Sequence, residues 1–109
     1  GRALKKLVDN EIRVDVVTTI DEQDFLADTQ FDDATIKNMN KNTILFASSM
    51  TNDNVLNKFD KEKIYLFEAF LSFFNDNDGF TGFSVGEATL DLLLRFNPKK
   101  IYILGLDLA

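Results

Sequence analysis

Short apolar segments that alternate with helical segments constrain the fold of this chain most strongly. Segments rich in β-branched and other apolar residues lie at 14–20, 43–47, 64–67 and 101–104. Helical periodicity and capping residues predict helices between them, at residues 2–10, 32–39, 54–59 and 84–96. Strands separated by helices are typical of βαβ units, in which the sheet is parallel and covered by helices on both faces.

The length and composition are those of one globular α/β domain. The chain has 109 residues, of which 45% are hydrophobic, enough for a single core. We therefore expect a Rossmann-like three-layer α/β domain with a mostly parallel sheet. Because the chain begins at Gly1 and ends on an apolar segment without a polar tail, we interpret residues 1–109 as a partial domain of a longer protein.

Charge and hydropathy argue against two classes of partner. The formal net charge is −6, whereas nucleic-acid binding needs clustered Lys and Arg, so we expect no nucleic-acid partner. The longest apolar stretch, residues 66–74, is interrupted by Glu68 and is too short for a membrane span. The start of the chain has no signal-peptide pattern, and the lack of cysteine fits a reducing compartment, so we expect a cytoplasmic protein.

The complete lack of histidine limits the chemistry available to this chain. A Ser-His-Asp or Cys-His mechanism cannot be assembled within it, and the usual Cys/His zinc sites are excluded. The Gly-x-Ser-x-Gly pattern at residues 82–86 imitates a nucleophile elbow, but that motif needs a histidine partner. Catalysis must therefore use other groups or residues outside the chain, and the catalytic residues stay unassigned.

The helix at residues 84–96 has the best-defined start in the chain. Ser84 and Glu87 have the spacing of a capping box, and Gly82 and Gly86 flank this cap. The backbone of Gly82, Ser84, Val85 and Gly86 is thus a candidate binding site for phosphate, because a helix N-terminus offers free amides and a positive dipole end. The alternative is a purely structural cap. A core stripe is predicted at Val85, Ala88, Thr89, Leu92, Leu93 and Phe96.

Polar residues follow the predicted strands at the edge where open α/β sheets bind ligands. They are Asp21, Ser48, Glu68 and Asp107. Converging carboxylates there would bind ribose hydroxyls or hold a divalent cation such as Mg²⁺. The alternative is that Asp21 caps a helix and Asp107 takes part in a turn, since Asp is common at both positions.

Several stretches resemble the bacterial motility accessory factor family. Residues 84–88 (SVGEA) and 99–109 (KKIYILGLDLA) are similar to its signature, and residues 3–7 and 12–21 resemble the helix, strand and acidic end of the same domain. The resemblance spans nearly the whole chain and is least specific in the middle third. The family shares this domain with archaeal 6-hydroxymethylpterin diphosphokinases. The helix followed by Gly-x-Asp is also similar to the lipooligosaccharide sialyltransferases.

The resemblance implies a glycosyltransferase that moves pseudaminic or legionaminic acid from a CMP-activated donor to Ser or Thr of flagellin. It places Gly82, Ser84, Val85 and Gly86 along the donor phosphate or ribose, with Asp21 and Asp107 near the nucleotide. The family's Gly-rich strand and loop would precede this chain, and the sialyltransferases place their catalytic histidine in a segment that would follow it. We therefore expect the chain to be inactive by itself.

Two alternatives remain open at this stage. One is a diphosphokinase in which Asp21 and Asp107 hold Mg²⁺ against ATP. The other is a flagellin-binding or chaperone-like protein with a vestigial nucleotide pocket.

Overall fold

Three short parallel strands form the centre of the protein. A computed structural model describes residues 2–68 and 84–106. The strands β1 (Val16–Thr19), β2 (Ile44–Ser48) and β3 (Ile64–Phe67) pair in the order β1-β2-β3. Thr19 of β1 lies opposite Ala47 of β2, which in turn lies opposite Leu66 of β3. The predicted parallel sheet is confirmed over these three strands.

Helices occupy the connections between the strands. They are α1 (Leu4–Asp9), α2 (Leu26–Thr29), α3 (Asp33–Asn38), α4 (Asp53–Leu56) and α5 (Val85–Arg95), with a 3-10 turn at Lys61–Lys63 before β3. The side chain of Asp32 caps α3 by accepting from the backbone N–H of Thr35 at 2.9 Å. Sequence patterns predicted four of these helices, whereas the one-turn helix α2 lies outside the predicted ranges.

The larger core lies on the face of the sheet covered by α1, α2, α3 and α4. Leu45 and Ala47 of β2 are fully buried there, beside Val17 of β1. The rings of Phe31 and Phe59 meet edge to face with their centroids 5.9 Å apart. This cluster joins residues from Leu4 to Phe59, so burial of apolar surface holds the first half of the chain together.

Helix α5 covers the opposite face of the sheet through a smaller cluster. Ala88 packs with Phe67 of β3, and the half-buried Ile20 and Phe46 join them. Helices on both faces complete the predicted three-layer arrangement. The predicted core stripe of α5 is wrong at its C-terminal end, because Leu93 and Phe96 are exposed. Ala88 and Leu92 are the buried members of the stripe, and Val85 and Thr89 are half-buried.

The predicted strand at residues 101–104 is not formed. Helix α5 ends at Arg95, and Asn97 just beyond it adopts φ 50°, a left-handed conformation common after a helix end, before Pro98. The next residues are irregular, with Tyr102 88% and Leu104 100% exposed. A β-strand needs a hydrogen-bonded neighbour, and the outer edge of β1 pairs with no strand in the described parts of the chain. An apolar groove of about 160 Å³ runs along this edge between α1 and α5.

Candidate functional site

The carboxyl ends of the three parallel strands define one edge of the sheet. Ile20 and Asp21 follow β1, Ser49 follows β2 and Glu68 follows β3. Ligands of open α/β sheets bind in the crevice beyond this edge. Asp21 is exposed at the end of β1, as predicted, and Ser48 is completely buried within β2.

The N-terminus of α5 is fixed by a reciprocal pair of hydrogen bonds. The backbone N–H of Glu87 donates to Ser84 Oγ at 3.2 Å, and the backbone N–H of Ser84 donates to Glu87 Oε2 at 3.2 Å. The predicted capping box is therefore confirmed. Since the N–H of Ala88 bonds to the carbonyl of Ser84, helix geometry leaves the amides of Val85 and Gly86 without an intrahelical acceptor.

The first turn of α5 approaches the carboxyl edge of the sheet through Ala88. Ala88 shares a buried cluster with Phe67, the last residue of β3, and Ile20, which follows β1, packs against this cluster. Asp21 is the next residue after Ile20. The structure thus brings Asp21 and the first turn of α5, which holds Ser84, Val85 and Gly86, to the same end of the molecule. A positive helix end and a carboxylate placed together suit a ligand with both phosphate and hydroxyl groups.

Gly86 makes a close contact within the protein itself. A Cβ atom at this position would overlap the Cδ1 methyl group of Leu106. The chain reaches this point because Gly105 adopts φ 71°, a left-handed conformation that favours glycine. Leu106 therefore explains why residue 86 has no side chain, whereas the sequence suggested a close approach by a ligand. Gly82 and Asp107, the other two predicted site residues, lie outside the described residues.

A set of asparagine side chains links the loops of the carboxyl edge, and sequence analysis missed it. Asn52 Oδ1 accepts from the backbone N–H of Asn54 at 2.8 Å and caps α4. Its Nδ2 donates to the carbonyl of Glu22 at 3.3 Å, while Asn54 Nδ2 donates to the carboxylate of Asp24. These bonds tie the loop that follows Asp21 to the N-terminus of α4. Asn and Asp are typical of helix caps, but the two residues that Asn52 and Asn54 bind across the loops lie 30 positions away in sequence, so no local pattern indicates them.

Two further properties concern metal binding and membrane spans. Within residues 2–68 and 84–106, no group of three or more acidic residues is arranged to hold a metal ion. No helix in the same ranges is long and apolar enough to cross a membrane.

Comparison with known proteins identifies the family to which the chain belongs. The model of one protein family, described as 6-hydroxymethylpterin diphosphokinase MptE-like, matches residues 1–109. Searches of curated proteins and of solved structures found no significant match. The family match covers the entire chain. The chain therefore belongs to the 6-hydroxymethylpterin diphosphokinase MptE-like family.

Proposed function

We propose that the carboxyl edge of the sheet binds the phosphate and ribose of a nucleotide, and that the protein uses this nucleotide in a transfer reaction. The observation that carries the proposal is the placement of the capped N-terminus of α5 beside the end of β1, where Asp21 stands. Membership of the 6-hydroxymethylpterin diphosphokinase MptE-like family supports chemistry on a phosphorylated substrate.

In this proposal the backbone of α5 recognises the phosphate. The amides of Val85 and Gly86 donate to a phosphate oxygen, and the positive end of the helix dipole favours the negative charge. The capping box does not occupy them, because it uses the amides of Ser84 and Glu87 instead. Asp21 accepts from a ribose hydroxyl, since a carboxylate is an acceptor for two hydroxyl donors.

The donor that we propose is a CMP-activated nonulosonic acid, and the acceptor is a Ser or Thr hydroxyl of flagellin. This choice rests on the resemblance of residues 84–88 and 99–109 to the motility accessory factors. In the reaction the acceptor oxygen attacks the anomeric carbon of the sugar, the bond from that carbon to the CMP phosphate oxygen breaks, and the electron pair stays on the phosphate. The amides of α5 stabilise this charge, and a base outside the described residues takes the hydroxyl proton.

The description of the matched family favours a second candidate, a diphosphokinase. In that reaction a hydroxymethyl oxygen attacks the β-phosphorus of ATP, the diphosphate moves to the acceptor, and AMP leaves. A bound Mg²⁺ would neutralise charge on the phosphates, and Asp21 and Asp107 are the residues proposed to hold it. The same amides of α5 would then bind the ATP phosphates.

A proline substitution tests whether α5 recognises phosphate. Val85→Pro removes one amide donor, and proline is well tolerated at the first position of a helix, so the fold should persist. The matched control, Val85→Ala, shortens the same half-buried side chain but keeps the amide. Because a hydrogen bond to a charged group contributes roughly 1.5–3 kcal/mol, we expect Val85→Pro to weaken nucleotide binding about tenfold or more relative to Val85→Ala.

Calorimetric titration of the purified chain with CMP and with ATP plus Mg²⁺ separates the two candidates. Saturable binding of CMP that depends on the Val85 amide supports the glycosyltransferase. Binding of ATP with Mg²⁺, with no binding of CMP, rejects it in favour of the diphosphokinase. If neither nucleotide binds, or if Val85→Pro and Val85→Ala behave alike, the proposed phosphate site is wrong, and a flagellin-binding role gains weight.

A further inference from the structure

A cavity of about 330 Å³ at the opposite, amino-terminal edge of the sheet collects four lysine side chains. Lys37 lies in the last turn of α3 and Lys41 in the loop before β2, whereas Lys58 follows α4 and Lys63 directly precedes β3. No run of basic residues in the sequence announces this cluster, because the fold assembles it from separate segments. We call these four residues the lysine cluster.

The lysine cluster is positive within an acidic protein. The chain as a whole carries a formal net charge of −6, whereas the cavity lining contains the four lysines and one acid, Asp60, giving +4 − 1 = +3. Lys58 pairs with Asp33, which lies outside the lining, and this hydrogen bond raises the pKa of the Lys58 ammonium group. When Asp33 is counted as well, the formal charge around the cavity is +2.

Three of the four lysines have no carboxylate partner in the described part of the chain. No ion pair there joins Lys37, Lys41 or Lys63 to an acid. Lys37 has a structural role, because a cation in the last turn of α3 complements the helix dipole. Lys41 lies in a loop, and Lys63 ends a 3-10 helix of only three residues, so neither lysine complements the dipole of a longer helix. Lysines that line one cavity without counter-charges repel one another, and a bound anion would relieve this repulsion.

The rest of the lining supplies hydrogen-bond donors and an apolar wall. Asn40 Oδ1 already accepts from the backbone N–H of Asn42 at 3.0 Å, so the side-chain amide is left with its two N–H donors. The Thr43 hydroxyl is committed to the carbonyl of Val14 at 2.7 Å. Phe59 is buried and closes one wall. The volume lies at the lower end of the range of small-molecule sites.

We propose that this cavity is an anion site for a diphosphate group, separate from the nucleotide site at the carboxyl edge. A diphosphate is compact and carries several negative charges, which suits a cavity lined by lysines from separate segments of the chain. A monovalent anion would neutralise only one of them. The chemistry is the same for free pyrophosphate and for the diphosphate of a nucleotide, and titrations with each distinguish the two sources.

Titration of the ¹⁵N-labelled chain with sodium pyrophosphate tests the site. We expect saturable shifts of the amide signals near Lys41 and Lys63. The double variant Lys41→Gln/Lys63→Gln should raise the dissociation constant about tenfold or more, since it removes two charged donors. The control Lys99→Gln/Lys100→Gln makes the same change in net charge at exposed residues beyond α5 and should leave the constant within about twofold. The amide spectrum of each variant also shows that it has folded.

A parallel titration with ADP identifies the source. If the Lys41→Gln/Lys63→Gln variant loses ADP binding, the cavity is a diphosphate site whose ligand is a nucleotide. If the variant loses only pyrophosphate binding, the cavity is a diphosphate site whose ligand is the free anion. The proposal is overturned if pyrophosphate does not bind, if both double variants weaken binding equally, or if the shifts lie at the start of α5. Val85→Pro should not change pyrophosphate binding, so the proposals for the two sites can be tested independently of each other.

Discussion

Replacing Gly86 with alanine adds a methyl group where the chain returns to the start of α5. Two effects then oppose each other. Alanine is more favourable than glycine in a helix by about 0.8–1 kcal/mol. The new methyl group, however, occupies the position of Leu106 Cδ1, so the Leu106 side chain must move. Leu106 is half-buried, and complete burial of a leucine contributes roughly 1.5–3 kcal/mol, so its displacement costs about 1 kcal/mol.

A double-mutant cycle separates the two effects. We expect Gly86→Ala alone to change the free energy of unfolding by less than about 0.5 kcal/mol, because the gain and the loss nearly cancel. Leu106→Ala alone should destabilise by about 1 kcal/mol. In the Leu106→Ala background, Gly86→Ala should stabilise by about 1 kcal/mol, which gives a coupling energy of about 1 kcal/mol between the two positions.

Urea denaturation, monitored by far-ultraviolet circular dichroism, measures the free energies of unfolding of the original protein, the two single variants and the double variant. The comparison is valid if the free energy falls with urea concentration at the same slope in all four proteins. If Gly86→Ala has the same effect in both backgrounds, Leu106 does not pack on Gly86. Packing by Leu106 would then fail to explain glycine at residue 86, and a ligand contact would again be the better explanation.

Three further changes test the core, the pH dependence and the helix cap. Phe31→Ala should destabilise the protein by about 3–5 kcal/mol because it empties a fully buried position. Phe25 is exposed, so Phe25→Ala should cost less than about 0.5 kcal/mol, and the urea concentrations at the midpoints of unfolding compare the two variants. The N–H of Thr35 holds the pKa of Asp32 below its ordinary value of 3.8, so this stabilisation is present above that value and is lost as the pH falls through the lower folded pKa. Asp32→Asn should remove that part of the acid-induced loss of stability, and an unchanged pH profile would contradict this. Ser84→Ala should cost about 1 kcal/mol by removing the cap, while Ser84→Asp should cost less; thermal unfolding compares them.

Local signals in the sequence predicted much of the fold. The capping box at Ser84 and Glu87 involves residues three apart, so its residue types were sufficient to locate it. The predicted bounds of β3 agree with the structure because a run of apolar and aromatic residues lies between charged residues there. Asp21 was placed correctly at the end of β1 for the same reason.

The errors arose where structure depends on distant partners. The segment at residues 101–104 has the composition of a strand, but no neighbouring strand pairs with it within the described residues. Leu106 lies against Gly86, twenty positions earlier in the sequence, and no local pattern indicates that contact. The asparagine links between the loops and the lysine cluster also join residues far apart in the chain.

The unequal division of the core has a consequence for the motions of α5. This helix rests on the smaller cluster around Ala88 and Phe67, whereas the rest of the sheet is held by the larger cluster on the other face. Fewer buried contacts mean a lower free energy of local opening, so the amides of α5 should exchange with deuterium faster than those of β2. If the nucleotide binds the first turn of α5, it will slow exchange in this helix more than in the sheet. Its binding and the closure of α5 onto the sheet would then be one coupled equilibrium.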